Sequence, residues 1–240
     1  MKLKKINEIL QQNLVADGLT KANTLQRETF STIKSGADCV IVAAEGTGRS
    51  TTIVLNVIQQ LARETEESPR ALIFVESKEK VLEMEALFDK YAKGTNLEIY
   101  GIHDKGDTDY DKNYISTGVD VLIGTPNKLN DMLSTAGYNV NRLKMFIIDD
   151  ANSLLKLRHE TKMMRISNSI AKTQRILFTE KLTERVEILI DKLMLEPYYF
   201  DIEEEEEETE EEESDAEEKD LGAENEDEEE HERKEEKEEN

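Results

Sequence analysis

The sequence predicts an α/β fold, a mostly parallel sheet with helices on both faces, and three observations lead there. Short apolar, β-branched runs alternate with amphipathic stretches of helical period through the first 200 residues. One such run, Cys39–Ala43 (CVIVA), stops at a glycine-bearing turn. It passes at once into a helical pattern with Val54, Ile58 and Leu61 on one face. The polar clusters Gly46–Ser50, Glu76–Lys78, Thr125–Lys128, Asp149-Asp150 and Thr179–Lys181 each follow an apolar run. In an open parallel sheet those positions are strand carboxyl ends, where ligands bind.

Taken in order, residues 3–15 (LKKINEILQQNLV) space their apolar side chains as a leading helix, and the stretch 18–26 leads into a second helix that ends near Ser35-Gly36. The glycine-bearing turn and its helix follow, then a polar connection over 64–70. Ala71–Val75 (ALIFV) is a buried strand and Lys78–Tyr91 a helix. Leu97–Ile102 is a strand, and the Asp-rich stretch from His103 to Lys112 reads as a long polar loop. Val119–Gly124 is a strand ending at Thr125-Pro126, a helix cap with proline at the first helical position, which opens 127–133. Lys144–Ile148 runs into Asp149-Asp150. Arg175–Thr179 is a strand, Leu182–Leu195 a helix and Tyr198–Ile202 a last strand.

Composition divides the chain in two. The formal charge of −23 belongs to the C-terminal end: residues 201–240 hold 26 Asp and Glu against 4 Lys and Arg, leaving 28 against 27 in the first 200. One domain over 1–202 and a disordered, Glu-rich tail over 203–240 are expected, because the tail has too few apolar groups to offset its ordering entropy. Cys39 is the only cysteine, which excludes an internal disulfide and a cysteine-based zinc cluster. His103, His159 and His231 share no metal-ligand spacing. No apolar run has the length of a membrane span or a signal-peptide core, so a reducing, cytoplasmic compartment is expected.

A buried strand feeding a glycine turn that opens a helix is the setting of a phosphate-binding loop. Gly46 and Gly48 permit positive φ, so several backbone N–H groups can face one anion. Ser50 is placed to put its hydroxyl on Mg²⁺. The position usually held by the phosphate lysine carries Arg49, a planar fork in place of a compact point charge.

In this order and spacing the motifs resemble the first RecA-like domain of a DEAD-box RNA helicase, over essentially residues 1–202. Gln26 stands where the family reads adenine. Ala43–Ser50 (AAEGTGRS) matches AxTGxGKT, with Glu45 for threonine and Arg49 for lysine. Glu76–Glu79 (ESKE) replaces PTRE, Thr125–Lys128 (TPNK) is close to TPGR, Asp149–Asn152 (DDAN) occupies the DEAD position, and Thr179–Lys181 (TEK) replaces SAT. The resemblance implies a RecA-like P-loop domain holding ATP or ADP with Mg²⁺ through Gln26, Ala44, Glu45, Gly46, Thr47, Gly48, Arg49, Ser50 and Thr51, with Asp149 and Ser50 on the metal. It implies Asp150 as the water-activating carboxylate and RNA contacts at Ser77, Lys78, Thr125 and Lys128. Thr179, Glu180 and Lys181 would couple hydrolysis to unwinding.

The departures fall on chemistry. Asp150 is one methylene shorter than glutamate, Arg49 replaces the cation on the transferred phosphoryl group, and Glu45 adds negative charge. A weak or inactive ATPase, a pseudoenzyme, is therefore expected, with no unaided unwinding and a separate second RecA-like domain as an implied partner. The alternative is a non-enzymatic scaffold whose core and acidic tail bind basic proteins.

Overall fold

The computed structural model describes residues 5–61 and 68–202, and within them it contains seven strands and nine helices. The strands are β1 (Cys39–Ala43), β2 (Ala71–Phe74), β3 (Ile99–Ile102), β4 (Val121–Gly124), β5 (Met145–Ile148), β6 (Gln174–Thr179) and β7 (Tyr198–Ile202). They form one sheet in the order β3-β4-β2-β5-β6-β1-β7, with every pairing parallel. The expected α/β fold is observed.

Alternation along each strand divides the core into two layers. Cys39, Ile41, Ala71, Ile73, Val121, Ile123, Met145 and Ile147 face one layer, closed by helices α1 (Glu8–Ala16), α2 (Thr24–Ser35), α3 (Arg49–Leu61) and α4 (Lys78–Tyr91). Val40, Leu72, Phe74, Leu122, Phe146, Ile148 and Leu177 face the other. That side carries α5 (Thr108–Ile115), α6 (Pro126–Ser134), α7 (Ala151–Lys156), α8 (Glu160–Asn168) and α9 (Glu184–Leu193). Burial on both faces explains why the central strands read as unbroken apolar runs.

Three local expectations need correction. The leading helix begins at Glu8 rather than residue 3, because the Asn7 side chain accepts from the Ile9 and Leu10 amides and caps it there. The stretch 103–112 is not all loop: Asp107 caps α5, whose acidic surface leaves only Asp111 and Ile115 buried and so hides the helical period. The unassigned stretch after Asp150 folds as α7 and α8, six and nine residues long, too short for a strong periodic signal. The acidic tail over 203–240 lies outside the described residues, as does the connection over 62–67.

The amino ends of the strands are fastened by a buried ion pair. Arg70, just before β2, donates from Nε and Nη2 to Asp120 Oδ1, just before β4, at 2.9 and 2.5 Å, and from Nη1 to the Leu61 carbonyl at 3.1 Å. Asp120 Oδ2 also accepts from the Glu98 amide at 3.1 Å, drawing in the start of β3. Both charges lie almost wholly out of water, so removing one strands the other. Asp120→Ala should lower stability by about 3–5 kcal/mol, seen as a fall in the urea midpoint without change in slope. Cys39 is sealed in β1, where burial, and secondarily Asp38, pushes its thiol up to about 12. A thiol reagent should therefore label it only at the rate of unfolding, which a labelling time course at graded urea will show.

Candidate functional site

The loop after β1 is shaped by its two glycines. Gly46 and Gly48 hold φ of +92° and +86°, conformations that L side chains rarely adopt. A Cβ on Gly48 would also come 2.9 Å from Asn23 Nδ2. The Asn23 side chain ties the loop to α2. Its Nδ2 donates to the Thr47 carbonyl at 2.9 Å, while its Oδ1 accepts from the Gln26 amide at 2.9 Å. Gln26 Oε1 accepts in turn from the Asn23 amide at 3.3 Å, closing a capping box. Within the loop, Thr47 Oγ1 donates to the Ala44 carbonyl at 2.8 Å.

In front of the loop lies a pocket of about 370 Å³. Glu45, Gly46, Gly48, Arg49, Ser50 and Thr51 form one wall, and Asp149, Asp150 and Ser153, at the end of β5 and start of α7, form the facing one. Glu76, Lys80 and Glu180 complete it. The pocket thus gathers five carboxylates and two cations, a balance that calls for added positive charge.

Arg49 spans the gap. Its Nη2 lies 3.8 Å from Asp150 Oδ2, and its Nη1 is buried with no hydrogen-bond partner. Asp150 is already engaged as the cap of α7, accepting from the Ser153 amide at 3.2 Å and the Ser153 hydroxyl at 3.1 Å. Asp149 is only 8% exposed, and burial pushes its carboxyl up to about 6. Arg49 and Lys80 pull it back down, while Asp150 and Glu76 push with the burial. A buried carboxylate opposite a serine hydroxyl, in a pocket with excess negative charge, fits a hydrated divalent cation; an unpartnered guanidinium nitrogen beside them fits a phosphate oxygen.

The other named positions separate into groups. Gln26, Ala44 and Thr47 do not line the pocket. Ser77 caps α4 by accepting from the Lys80 amide at 3.2 Å, and Lys78, half-buried, opens that helix. Thr125 stands at the head of α6, after the neighbouring strand β4. Thr179 is fully buried, Glu180 reaches the pocket, and Lys181 points to solvent. Lys128 departs from expectation. It is 5% exposed, with its ammonium 2.8 Å from Asp111 Oδ2, 2.8 Å from the Gly106 carbonyl and 3.0 Å from Thr108 Oγ1. Two of its donors are hydrogen-bonded internally and its charge is paired with Asp111, so the side chain faces the protein rather than solvent.

A family model, DEAD/DEAH box helicase, matches residues 23–186. This chain belongs to that family. The DEAD/DEAH-box domain is 24% identical over 194 residues to "ATP-dependent RNA helicase eIF4A" of Eremothecium gossypii, covering 80% of this chain and 49% of that protein. It is 23% identical over 188 residues to "DEAD-box ATP-dependent RNA helicase 42" of Oryza sativa subsp. japonica, covering 75% of this chain and 18% of that protein. The fold matches that of a DEAD box protein from the hyperthermophile Methanococcus jannaschii, with a TM-score of 0.78 at 18% identity over 83% of this chain and 55% of that one. The chain thus spans about half the length of the initiation-factor relative and less than a fifth of the rice helicase.

Three residues lining this DEAD/DEAH-box pocket, Glu76, Lys80 and Ser153, were not singled out from sequence as site residues, nor was Asn152, which follows Asp149-Asp150 in α7. Asn152 has the clearest role. Its Oδ1 accepts from Thr179 Oγ1 at 2.5 Å and from the Glu180 and Lys181 amides at 3.1 Å each. One side-chain oxygen therefore clamps the turn after β6. Its place in the first turn after Asp149-Asp150 was the available signal. Asn152→Ala should lower stability by about 2 kcal/mol by stranding those donors. Asn152→Asp, which keeps the acceptor, should recover most of it; chemical denaturation of the pair checks both.

Proposed function

We propose that this domain holds ATP or ADP with Mg²⁺ in the pocket before the glycine loop, hydrolyses ATP slowly or not at all, and engages RNA along the neighbouring strand ends. One observation carries the reading: the buried, unpartnered Nη1 of Arg49 inside a glycine-walled pocket. An orphaned cationic donor out of water is costly unless an anion arrives, and a phosphate oxygen supplies one. Ser50 and Asp149 would hold the Mg²⁺, which when bound neutralises phosphate charge. The backbone from Glu45 to Thr51 would cradle the phosphates, and Gln26, fixed by its capping box, would meet the base.

Slow hydrolysis follows from what the chain's own groups are doing. Asp150, expected to take a proton from water, has its carboxylate engaged by the Ser153 amide and hydroxyl, with Arg49 drawn toward it. A carboxylate so occupied is a weakened base, and its shorter side chain leaves it about 1 Å further from a bound water, a displacement worth roughly 10²-fold in rate. RNA contact is assigned to Ser77, Lys78 and Thr125; Lys128 is left out because its ammonium is buried and paired with Asp111. Unwinding would need a second RecA-like domain, in the same or another chain. Tail composition supports a second reading, a scaffold whose acidic residues 203–240 bind basic proteins.

Thermal unfolding with Mg-ATP, Mg-ADP and a non-hydrolysable analogue separates the two. A ligand at a hundredfold excess over its dissociation constant stabilises by about 2.7 kcal/mol, so the midpoint should rise with each nucleotide and not with Arg49→Ala. Glu45→Thr, which removes one like charge, should tighten binding by about tenfold, the worth of one close charge pair partly exposed to water. If no nucleotide moves the midpoint of the natural sequence, the nucleotide reading fails and the scaffold stands.

A further inference from the structure

Of the residues assigned to RNA, only Lys78 keeps its charged group without a hydrogen bond or ion pair among the described residues. Thr125 is 4% exposed, and its hydroxyl does not cap its own helix. It turns the other way and donates to Asp104 Oδ1 at 3.1 Å. The second oxygen of the same carboxylate, Oδ2, accepts from Asn127 Nδ2 at 3.3 Å. Asp104 sits on the exposed stretch between β3 and α5. Asp111, from α5, takes the ammonium of Lys128. One short acidic segment thus supplies carboxylates to three of the four residues of the TPNK turn.

The two carboxylates differ in how firmly they are held. The Lys128–Asp111 pair is buried on both sides, short at 2.8 Å, and reinforced by the Tyr100 hydroxyl donating to Asp111 Oδ1 at 2.7 Å. Removing one member would leave a buried charge, so this pair is permanent architecture. The Asp104 contacts are long for hydrogen bonds to a charged acceptor, and the residue faces water, where such contacts are weak. Asp104 can leave without unfolding anything.

We propose that Asp104 is an internal competitor for RNA: its carboxylate occupies the Thr125 and Asn127 donors that a backbone phosphate would otherwise take. RNA then binds this face only by displacing Asp104. The affinity of the natural sequence is set by that displacement as well as by the hydrogen bonds the phosphate makes. This inference rests on the RNA reading above, and concerns how that site is regulated.

The test is fluorescence anisotropy of a short labelled oligouridylate against the full chain, across a salt series, for the natural sequence, Asp104→Ala, Asp104→Asn and Asp109→Ala. Asp109, exposed in the same segment, controls for loss of one negative charge. Asp104→Ala should tighten binding by about tenfold, the worth of about 1.4 kcal/mol, and leave the salt slope nearly unchanged, because the freed Thr125 and Asn127 donors are neutral. Asp104→Asn should fall between, since it loses the charge but keeps an acceptor. Asp109→Ala should shift affinity by less than about twofold, the size of a weak surface term. Binding by Asp104→Ala where the natural sequence shows none would also support the competitor. Equal tightening by the Asp104 and Asp109 variants would overturn it, as would an unchanged affinity for Asp104→Ala against a natural sequence that binds. If none of the four binds RNA, the RNA reading itself falls and the competitor with it. Unmoved thermal midpoints for the Asp104 and Asp109 variants establish that all are folded.

Discussion

The pocket turns on one guanidinium. Arg49 is one of two cations in a pocket with five carboxylates, and one arm of its fork lies toward Asp150 while the other is buried without a partner. A lysine there would offer a compact charge able to follow a phosphate. The arginine is longer and planar, and it leans across to the facing wall. Everything proposed for the site follows from that posture. The buried arm makes the pocket receptive to an anion, the outstretched arm engages the residue that would serve as base, and the surplus of carboxylates makes a divalent cation part of any anion's arrival.

The sheet sets the stage for this contact. Seven parallel strands deliver their carboxyl ends to one edge, so that residues far apart in sequence, from Glu45 to Glu180, share one pocket. The opposite edge is where the strands are tied down, through Arg70 and Asp120. Stability and chemistry are thereby separated along the strand axis. Strain and unpaired charge are tolerated at one end because the other is closed by a satisfied ion pair and two apolar layers.

How much of this was legible in the sequence depended on the strength of the local signal. The central strands were clear because they are buried on both faces and read as unbroken apolar runs; the edge strand β7, though largely exposed, was placed to the residue, and α4 runs from its cap Ser77 to Tyr91, its last buried contact. The glycine loop was clear because positive φ at Gly46 and Gly48 leaves few other residues possible. The elements that escaped were short or masked by charge: α5, wrapped in aspartates, and α7 and α8, which bury only a few side chains each. Among site residues, pattern alone could not say which polar groups would be spent internally. Lys128 reads as a solvated cation and is a buried one; Asn152 reads as the end of a degenerate tetrad and is the clamp of the next turn. Both outcomes depend on partners distant in sequence, Asp111 and Thr179, and no local pattern encodes such a pairing.

The central claim, that Arg49 and Asp150 together hold the site in a nucleotide-binding but hydrolytically weak state, is tested most directly by single-turnover ATP hydrolysis. The measurement compares the natural sequence with Arg49→Lys, Asp150→Glu and the double variant, all in excess over labelled Mg-ATP. The account predicts a barely measurable rate for the natural sequence, small gains for each single change, and a gain in the double variant larger than their product, about 10²-fold or more, since a base at the right reach and an uncommitted cation are needed together. A natural sequence that already hydrolyses as fast as the double variant would contradict it, because neither residue would then be limiting.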